Sequence, residues 1–167
     1  MYTEEHTTPN KRLLSVKAES IPEELKVRPQ WVAWRAVGDK PDKVPYSART
    51  GRKASSTDLL TWSSFEEAYG ACKRKGYTGV GFVFCSGDPF TSIDLDKCVD
   101  PQTAEVAAWA REIVRYFESY TELSATGTGL HIIVRGEVPN RRKGDVEVYS
   151  SKRFFTVTGH VVEVSGD

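Results

Sequence analysis

The sequence of 167 residues has no long hydrophobic run. A membrane-spanning helix needs about 18–20 consecutive apolar residues, and no run of that kind occurs. The first 20 residues are polar, with Glu4, Glu5 and His6 where a secretory signal peptide needs an apolar segment. We therefore expect a cytoplasmic protein that does not bind membranes.

Cysteine is also scarce. The chain has three, Cys72, Cys85 and Cys98, and no two of them lie close together in sequence. An odd number without close pairs favours neither a disulfide framework nor a zinc knuckle. We expect the three side chains to be small, mostly buried apolar groups.

Neither sign of charge is in excess, because 23 lysines and arginines match 23 aspartates and glutamates. This balance argues against a protein that coats DNA through its net charge alone. The charges are nevertheless segregated: residues 34–53 and 135–153 are mostly basic, and residues 82–123 are mostly acidic. The basic stretches suit a polyanion and the acidic one suits a divalent cation. A solvated surface with chance segregation is the alternative.

The length and the composition, 39% hydrophobic and 28% charged, predict one globular domain. We expect a flexible arm over residues 1–20 and a single domain over residues 21–167. Residues 31–34 predict a strand. Residues 38–58 predict a long basic loop that binds a ligand.

Two helices and several strands follow. Residues 63–66 fit a capping box for a helix that ends at Gly76, and residues 103–118 carry apolar side chains at helical spacing. Residues 79–85 and 90–96 predict a hairpin, and residues 130–135, 146–149 and 154–164 predict further strands. The mixture predicts an α+β fold with a largely antiparallel sheet.

Two carboxylates stand one residue apart at the end of a predicted strand. Because side chains alternate along a strand, Asp94 and Asp96 lie on one face and Ile93 and Leu95 on the other. Like charges at this spacing repel, and a hard divalent cation such as Mg²⁺ or Mn²⁺ relieves the repulsion. Two solvated carboxylates at a strand end are the structural alternative.

A second polar pattern combines a glycine-rich turn with a strand. Gly127 and Gly129 allow the backbone to approach a phosphate closely, helped by the hydroxyls of Ser124 and Thr126. Beyond the turn, alternation places His131 and Arg135 on the polar face of residues 130–135. An ordinary glycine-rich hairpin with a half-exposed histidine is the alternative.

A third strand shows the same alternation. Asp145, Glu147 and Tyr149 face away from Val146 and Val148, so Glu147 is a candidate third ligand for a metal ion. Lys152 and Arg153 follow in a basic turn that suits phosphate oxygens.

These patterns resemble the three motifs of the archaeo-eukaryotic primase superfamily, most closely the primase-polymerase domains of phage and plasmid replication proteins. The motifs are the Asp-x-Asp of residues 94–96, the His of residues 129–131, and the hydrophobic residue followed by Glu at 146–147. Residues 31–34, 43–46, 61–68 and 153–159 are also similar to the phage type, so the resemblance covers residues 21–165. Gly129 departs from the pattern, since Ser or Thr often stands there, and this puts one hydroxyl contact in doubt.

The resemblance implies an RRM-like, largely antiparallel catalytic sheet flanked by helices, with a smaller N-terminal αβ module. It also implies a DNA template and primer, dNTP or NTP substrates, and a helicase or accessory priming domain in a longer protein. The implied reaction is template-directed nucleotidyl transfer, as in a DNA primase or polymerase.

The same resemblance implies roles for individual residues. Two Mg²⁺ or Mn²⁺ ions are expected at Asp94, Asp96 and Glu147, and His131 is expected to donate to a triphosphate oxygen. Other candidates for nucleotide contacts are Arg135, Lys152, Arg153, Ser124, Thr126, Gly127 and Gly129. Candidates for contacts with the DNA backbone are Lys43, Arg49, Arg52 and Lys53.

Two rival functions fit the same residues. A metal-dependent nuclease uses the same carboxylates with water as the nucleophile. A non-catalytic RRM-like module binds nucleic acid through its sheet, but such modules carry aromatic side chains on the central strands, where this chain has mostly charged ones.

Overall fold

The computed structural model describes residues 13–39 and 42–164, which form two antiparallel sheets. The first sheet has the strand order β2 (Asp42–Tyr46), β1 (Trp31–Val37), β3 (Gly79–Phe84) and β9 (Arg153–Val157). The second has the order β5 (Tyr120–Leu123), β6 (Leu130–Arg135), β4 (Phe90–Leu95), β8 (Val146–Tyr149) and β7 (Arg141–Lys143). The predicted α+β class with antiparallel pairing is confirmed.

The helices are α1 (Glu23–Lys26), α2 (Phe65–Lys75) and α3 (Ala108–Phe117). Helix α2 begins one residue later than predicted: Ser64 accepts from the backbone N–H of Glu67, and Glu67 completes the capping box. It ends at Gly76, whose left-handed φ of 69° confirms the predicted C-terminal glycine. Helix α3 is shorter than the predicted span of residues 103–118. None of the helices in the described ranges has the length and apolar character needed to cross a bilayer.

Each sheet packs against its own helix. Trp31 of the first sheet contacts both Phe65 of α2 and Phe82 of its own sheet, and Leu130 and Ile132 of the second sheet pack against α3. The sheets also meet each other, because Phe90 and Ile133 of the second sheet belong to the same core as Phe82 and Phe84 of the first. The face of the second sheet that carries these two residues therefore lies against the first sheet at one end.

The predicted hairpin between residues 79–85 and 90–96 is wrong. Strand β3 pairs with β1 and β9, whereas β4 pairs with β6 and β8. The connecting turn carries the chain from one sheet to the other, and the buried Asp88 holds it: its carboxylate accepts from the backbone N–H groups of Cys85 and Phe90 and from the side chain of Gln30. A two-strand pattern around a turn does not by itself show that the strands pair.

Two predicted irregular segments are also more ordered than expected. Within the predicted arm, the backbone N–H groups of Leu14 and Lys17 donate to the carbonyls of Ala125 and Thr158 at 2.9 and 2.8 Å. Residues 13–20 are therefore held against the domain, and residues 1–12 lie outside the described residues. The predicted loop over residues 38–58 contains strand β2, because its backbone pairs with the edge of β1.

The three cysteines are free thiols. Cys98 is buried, and burial raises its pKa to about 11, while Cys72 and Cys85 are half-buried with pKa values that burial also raises. A raised pKa keeps each thiol neutral, in agreement with their expected apolar role.

Candidate active site

Five polar side chains lie side by side across the second sheet, one on each strand. The register pairs Glu122 of β5 with His131 of β6, His131 with Asp94 of β4, Asp94 with Glu147 of β8, and Glu147 with Arg142 of β7. We call this line of five residues the cross-strand row. Directly opposite side chains on neighbouring antiparallel strands have Cβ atoms about 5 Å apart, so each member of the row contacts the next.

Asp94 occupies the centre of the cross-strand row and is half-buried. Burial raises the pKa of its carboxyl group, and the negative charges of Glu147 and Asp96 act in the same direction. His131, with Nε2 3.7 Å from Asp94 Oδ1, and Lys43 of β2 oppose the increase. Asp94 is thus a carboxylate with an unfavourable environment that an added cation would improve.

Glu147 is the like-charged neighbour of Asp94. Its Oε1 atom lies 3.1 Å from Nε of Arg142, which is the cationic end of the cross-strand row. Asp96 lies just beyond the end of β4, is exposed, and accepts from the backbone N–H of Lys97. The predicted carboxylates are therefore neighbours, with Asp94 and Glu147 directly opposite each other and Asp96 two residues further along the chain.

A polar cavity of about 340 Å³ opens over the cross-strand row. Both sheets contribute to its lining, which consists of Lys43, Asp94, His131, Arg142, Glu147, Tyr149 and residues 153–156. The guanidinium of Arg153 lies over the ring of Tyr149, 4.9 Å from its centroid. The hydroxyl of the buried Thr156 has no hydrogen-bond partner among the described residues. Cations, carboxylates and an unpaired hydroxyl in one cavity suit an anionic ligand that brings its own metal ion.

The structure separates two predicted binding arginines from this cavity. Arg135 lies at the far end of β6, where it pairs with Glu24 of α1 and stacks over Phe90. Arg49 makes a two-point ion pair with Glu67 of α2 at 2.7 and 2.8 Å, which lowers the pKa of Glu67 to about 2. Alternation correctly placed Arg135 on the same face as His131. The two residues are four positions apart along β6, however, and four positions of a strand span about 13 Å, so Arg135 lies away from the cavity.

The glycine-rich turn is also built differently from the prediction. The Ser124 hydroxyl accepts from the backbone N–H of Gly129, and the hydroxyls of Ser124, Thr126 and Thr128 bond in series at 3.3 and 2.8 Å. These groups, with Gly127 at a φ of 74°, shape the turn and do not line the cavity. A Cβ at Gly129 would lie 2.7 Å from the carbonyl oxygen of Leu95, which explains why glycine stands at this position.

The remaining predicted cations divide into two groups. Lys43, expected at the DNA backbone, lines the cavity beside Asp94, and so does Arg153. Lys152, Arg52 and Lys53 are exposed and lie outside the lining. Lys152 adopts a left-handed φ of 58°, and its carbonyl accepts from the hydroxyl of Ser56.

Three residues of the site were missed by sequence reasoning: Glu122, Arg142 and Thr156. Strand β5 was not predicted, so the residue opposite Glu122 on the neighbouring strand could not be inferred. A signal was present, because a hairpin over the turn of residues 124–129 that pairs residue 123 with 130 also pairs Glu122 with His131. Arg142 and Thr156 can be assigned to the site only when the order of the strands in the sheets is known, and local sequence patterns do not show that order.

The carboxylates of the site supply only some of the ligands that a divalent cation needs. Among residues 13–39 and 42–164, no three His, Cys, Asp or Glu side chains are gathered closely enough to hold a metal ion by themselves. Asp94 and Glu147 nevertheless place two carboxylates side by side, and the charge of Glu147 helps to raise the pKa of Asp94. Mg²⁺ is commonly bound through one or two carboxylates together with substrate phosphates, so these residues fit a metal ion that arrives with a phosphate-bearing ligand.

Comparisons with known proteins identify a relative of the chain. No family model matches the chain. The chain is 41% identical over 146 residues to the DNA primase-polymerase of Nitratiruptor phage NrS-1, and the aligned region is 83% of this chain. It is 20% of the relative, so the chain spans about a fifth of the length of that protein. This similarity, over most of the chain, supports a phage primase-polymerase domain.

Proposed function

We propose that this domain catalyses template-directed nucleotidyl transfer on DNA. The 3′-hydroxyl oxygen of a primer attacks the α-phosphorus of a nucleoside triphosphate; the new O–P bond forms, the bond to the β-phosphate breaks, and pyrophosphate leaves. The hydroxyl proton is lost to solvent. The NrS-1 relative is named a DNA primase-polymerase, and that name supports the same reaction here.

One observation carries the proposal: the centre of the cross-strand row is a pair of opposed carboxylates flanked by cations. Asp94 and Glu147 repel each other, and the side chains of His131, Arg142 and Lys43 surround them. We propose that Asp94, Asp96 and Glu147 hold two Mg²⁺ or Mn²⁺ ions. Ions bound there would lower the pKa of the attacking hydroxyl and neutralise charge on the leaving group.

The cations of the cavity are proposed to bind the triphosphate. His131 faces it with Nε2, and Lys43 and Arg153 reach it from the first sheet. Arginine and lysine recognise phosphate oxygens through charge-assisted hydrogen bonds. Arg135, Ser124, Thr126 and the two glycines of the turn are left out of this set, because the structure commits them to other contacts.

The exposed cations are proposed to contact DNA. Arg52, Lys53 and Lys152 lie outside the cavity with exposed side chains, as expected for groups that bind a phosphate backbone without reading sequence. A helicase or an accessory priming domain remains a prediction for a longer protein. So does the finer fold assignment, in which the five-stranded sheet is the RRM-like catalytic sheet and the four-stranded sheet with α2 is the smaller module.

Primer extension tests the proposed reaction. The wild-type domain with labelled primer, template, dNTPs and Mn²⁺ is expected to lengthen the primer, and the Asp94→Ala/Asp96→Ala variant is expected not to. Asp145→Asn removes an exposed negative charge from the same region and is the matched control, with wild-type extension expected. Shortening of the DNA without nucleotides would instead show a nuclease, and DNA binding with neither reaction would show a binding module.

Some of the predicted cations line the cavity and others pair with carboxylates elsewhere, and this difference gives a second prediction. Lys43→Ala and Arg153→Ala are each expected to raise KM for the nucleotide roughly 10-fold, since a hydrogen bond to a charged group contributes about 1.5–3 kcal/mol. Arg49→Ala and Arg135→Ala remove the same charge from residues paired elsewhere, and they are expected to leave KM within about twofold. Steady-state extension at varied dNTP concentration measures all four. An equal effect from both pairs would contradict the assigned lining of the cavity.

A further inference from the structure

Glu122 is a completely buried acid at one end of the cross-strand row. Its side chain has 0% of its surface exposed. Burial of an ionised carboxylate is costly unless hydrogen bonds and a cation compensate it. A buried acid beside a catalytic histidine therefore needs an explanation in terms of its partners.

Those partners come from three parts of the chain. The backbone N–H groups of Thr158 and Gly159, which follow β9, donate to the carboxylate at 2.9 and 3.3 Å, and the hydroxyl of Tyr120 donates at 2.8 Å. Nδ1 of His131 lies 3.2 Å from Oε2 of the same carboxylate. His131 is the one partner among these four that can carry a positive charge.

The contact determines which ring nitrogen faces the cavity. With Nδ1 donating to Glu122, Nε2 is the nitrogen that points toward Asp94, 3.7 Å away. The ring also packs against Phe155, with centroids 5.2 Å apart, and only 6% of its side chain is exposed. The imidazole is thus held from one side by a carboxylate and from another by an aromatic ring. A buried hydrogen bond to one nitrogen of a histidine commonly sets the role of the other.

We propose that Glu122 is the positioning residue for His131: with a hydrogen on each ring nitrogen, Nδ1 donates to Glu122, and Nε2 is held where it donates to a phosphate oxygen of the nucleotide. The inference rests on the proposed nucleotidyl transfer and adds to it a residue outside the three motifs. Glu122 itself does not reach the cavity and touches no substrate. Its effect passes through the orientation of one ring.

A double-mutant cycle tests the coupling. Glu122→Gln and His131→Ala are each expected to raise KM for dNTP roughly 10-fold, with a smaller change in kcat. The combined variant is expected to be no worse than His131→Ala alone, because the two residues act through one contact. Additive effects, or an unchanged KM in Glu122→Gln, would overturn the proposal.

Tyr120→Phe is the matched structural control. It removes one hydrogen bond from the same carboxylate and leaves the His131 contact in place. We expect a lower Tm and an unchanged KM. If Tyr120→Phe raises KM as much as Glu122→Gln does, Glu122 acts only by stabilising the fold, and the proposal is wrong.

A measurement on the wild-type domain covers the case in which Glu122→Gln does not fold. Long-range proton–nitrogen NMR correlations are expected to show a hydrogen on Nδ1 of His131. A ring with a bare Nδ1 would exclude donation to Glu122. This readout needs no catalysis, so a wild-type domain that fails to extend primers would refute the proposed function while the NMR result still decides the role of Glu122.

Discussion

Replacing Asp94 with Asn is expected to abolish primer extension and at the same time to make the domain more resistant to heat. The activity falls because the substitution removes a central carboxylate from the proposed metal ligands, and metal ions contribute several kcal/mol to such reactions. A loss of roughly 1000-fold in kcat/KM is expected, since each factor of ten corresponds to about 1.4 kcal/mol. Primer extension at saturating template measures it.

The gain in Tm has a separate cause. Burial raises the pKa of Asp94, and the like charges of Glu147 and Asp96 add to the effect, so the ionised carboxylate destabilises the folded state. The neutral amide removes that penalty. For a domain of this size, Tm rises by about 2–4 °C for each kcal/mol gained. Differential scanning fluorimetry with a chelator present gives the comparison.

The pH dependence of this difference follows from the direction of the pKa shift. Below the unfolded pKa of about 3.9, Asp94 is protonated in both states and Asp94→Asn changes little. As the pH rises above that value, the folded state binds more protons than the unfolded state, so the wild type loses stability relative to the variant. The difference in Tm is therefore expected to be larger at pH about 7 than at pH about 3.5. A difference that shrinks over this range would contradict the burial argument.

Adding Mn²⁺ and a nucleotide is expected to reverse the order of the two Tm values, so that the wild type becomes more stable than Asp94→Asn. Mn²⁺ with a nucleotide should raise the Tm of the wild type and leave that of Asp94→Asn nearly unchanged, because only the wild type retains the full set of proposed ligands. An equal increase in both proteins would show that the metal ion binds elsewhere.

Replacing Gly159 with Ala is expected to produce the largest loss of stability. Gly159 adopts a left-handed φ of 71°, and a Cβ there would collide with the backbone carbonyl oxygen of Lys17. The φ strain costs about 1–2 kcal/mol and the overpacking about 1–3 kcal/mol more. A fall in Tm of roughly 5–15 °C is expected by thermal denaturation. The variant also disturbs the N–H donor that Gly159 supplies to Glu122.

Gly144→Ala separates the two causes. Gly144 has a φ of 59°, and among the described residues no atom beyond its chain neighbours lies within 4 Å of the position that an alanine methyl group would take. The variant is therefore expected to show only the φ strain, of about 1–2 kcal/mol. If the two variants lose the same stability, the contact between Gly159 and residues 13–20 contributes nothing.

Local patterns along the chain predicted most of the elements and several members of the site. Alternation correctly placed Asp94, His131 and Glu147 on the polar faces of three strands, and the capping signals located α2 to within one residue. These succeed because alternation and capping are decided by residues within a few positions of each other. The same reasoning failed for residues 79–96, where two adjacent strands join different sheets.

By itself, the sequence determined the fold class, the polar character of three strand faces and the resemblance to primase-polymerases. The tertiary structure decided which residues share the site: Lys43 and Arg142 line the cavity, Arg135 lies outside it, and Glu122 contacts His131 from behind. The physical reason is that strand order and register come from packing between distant segments. Alternation predicts the face of the sheet on which a side chain lies. The residues that this side chain contacts depend on which strand is its neighbour and in what register.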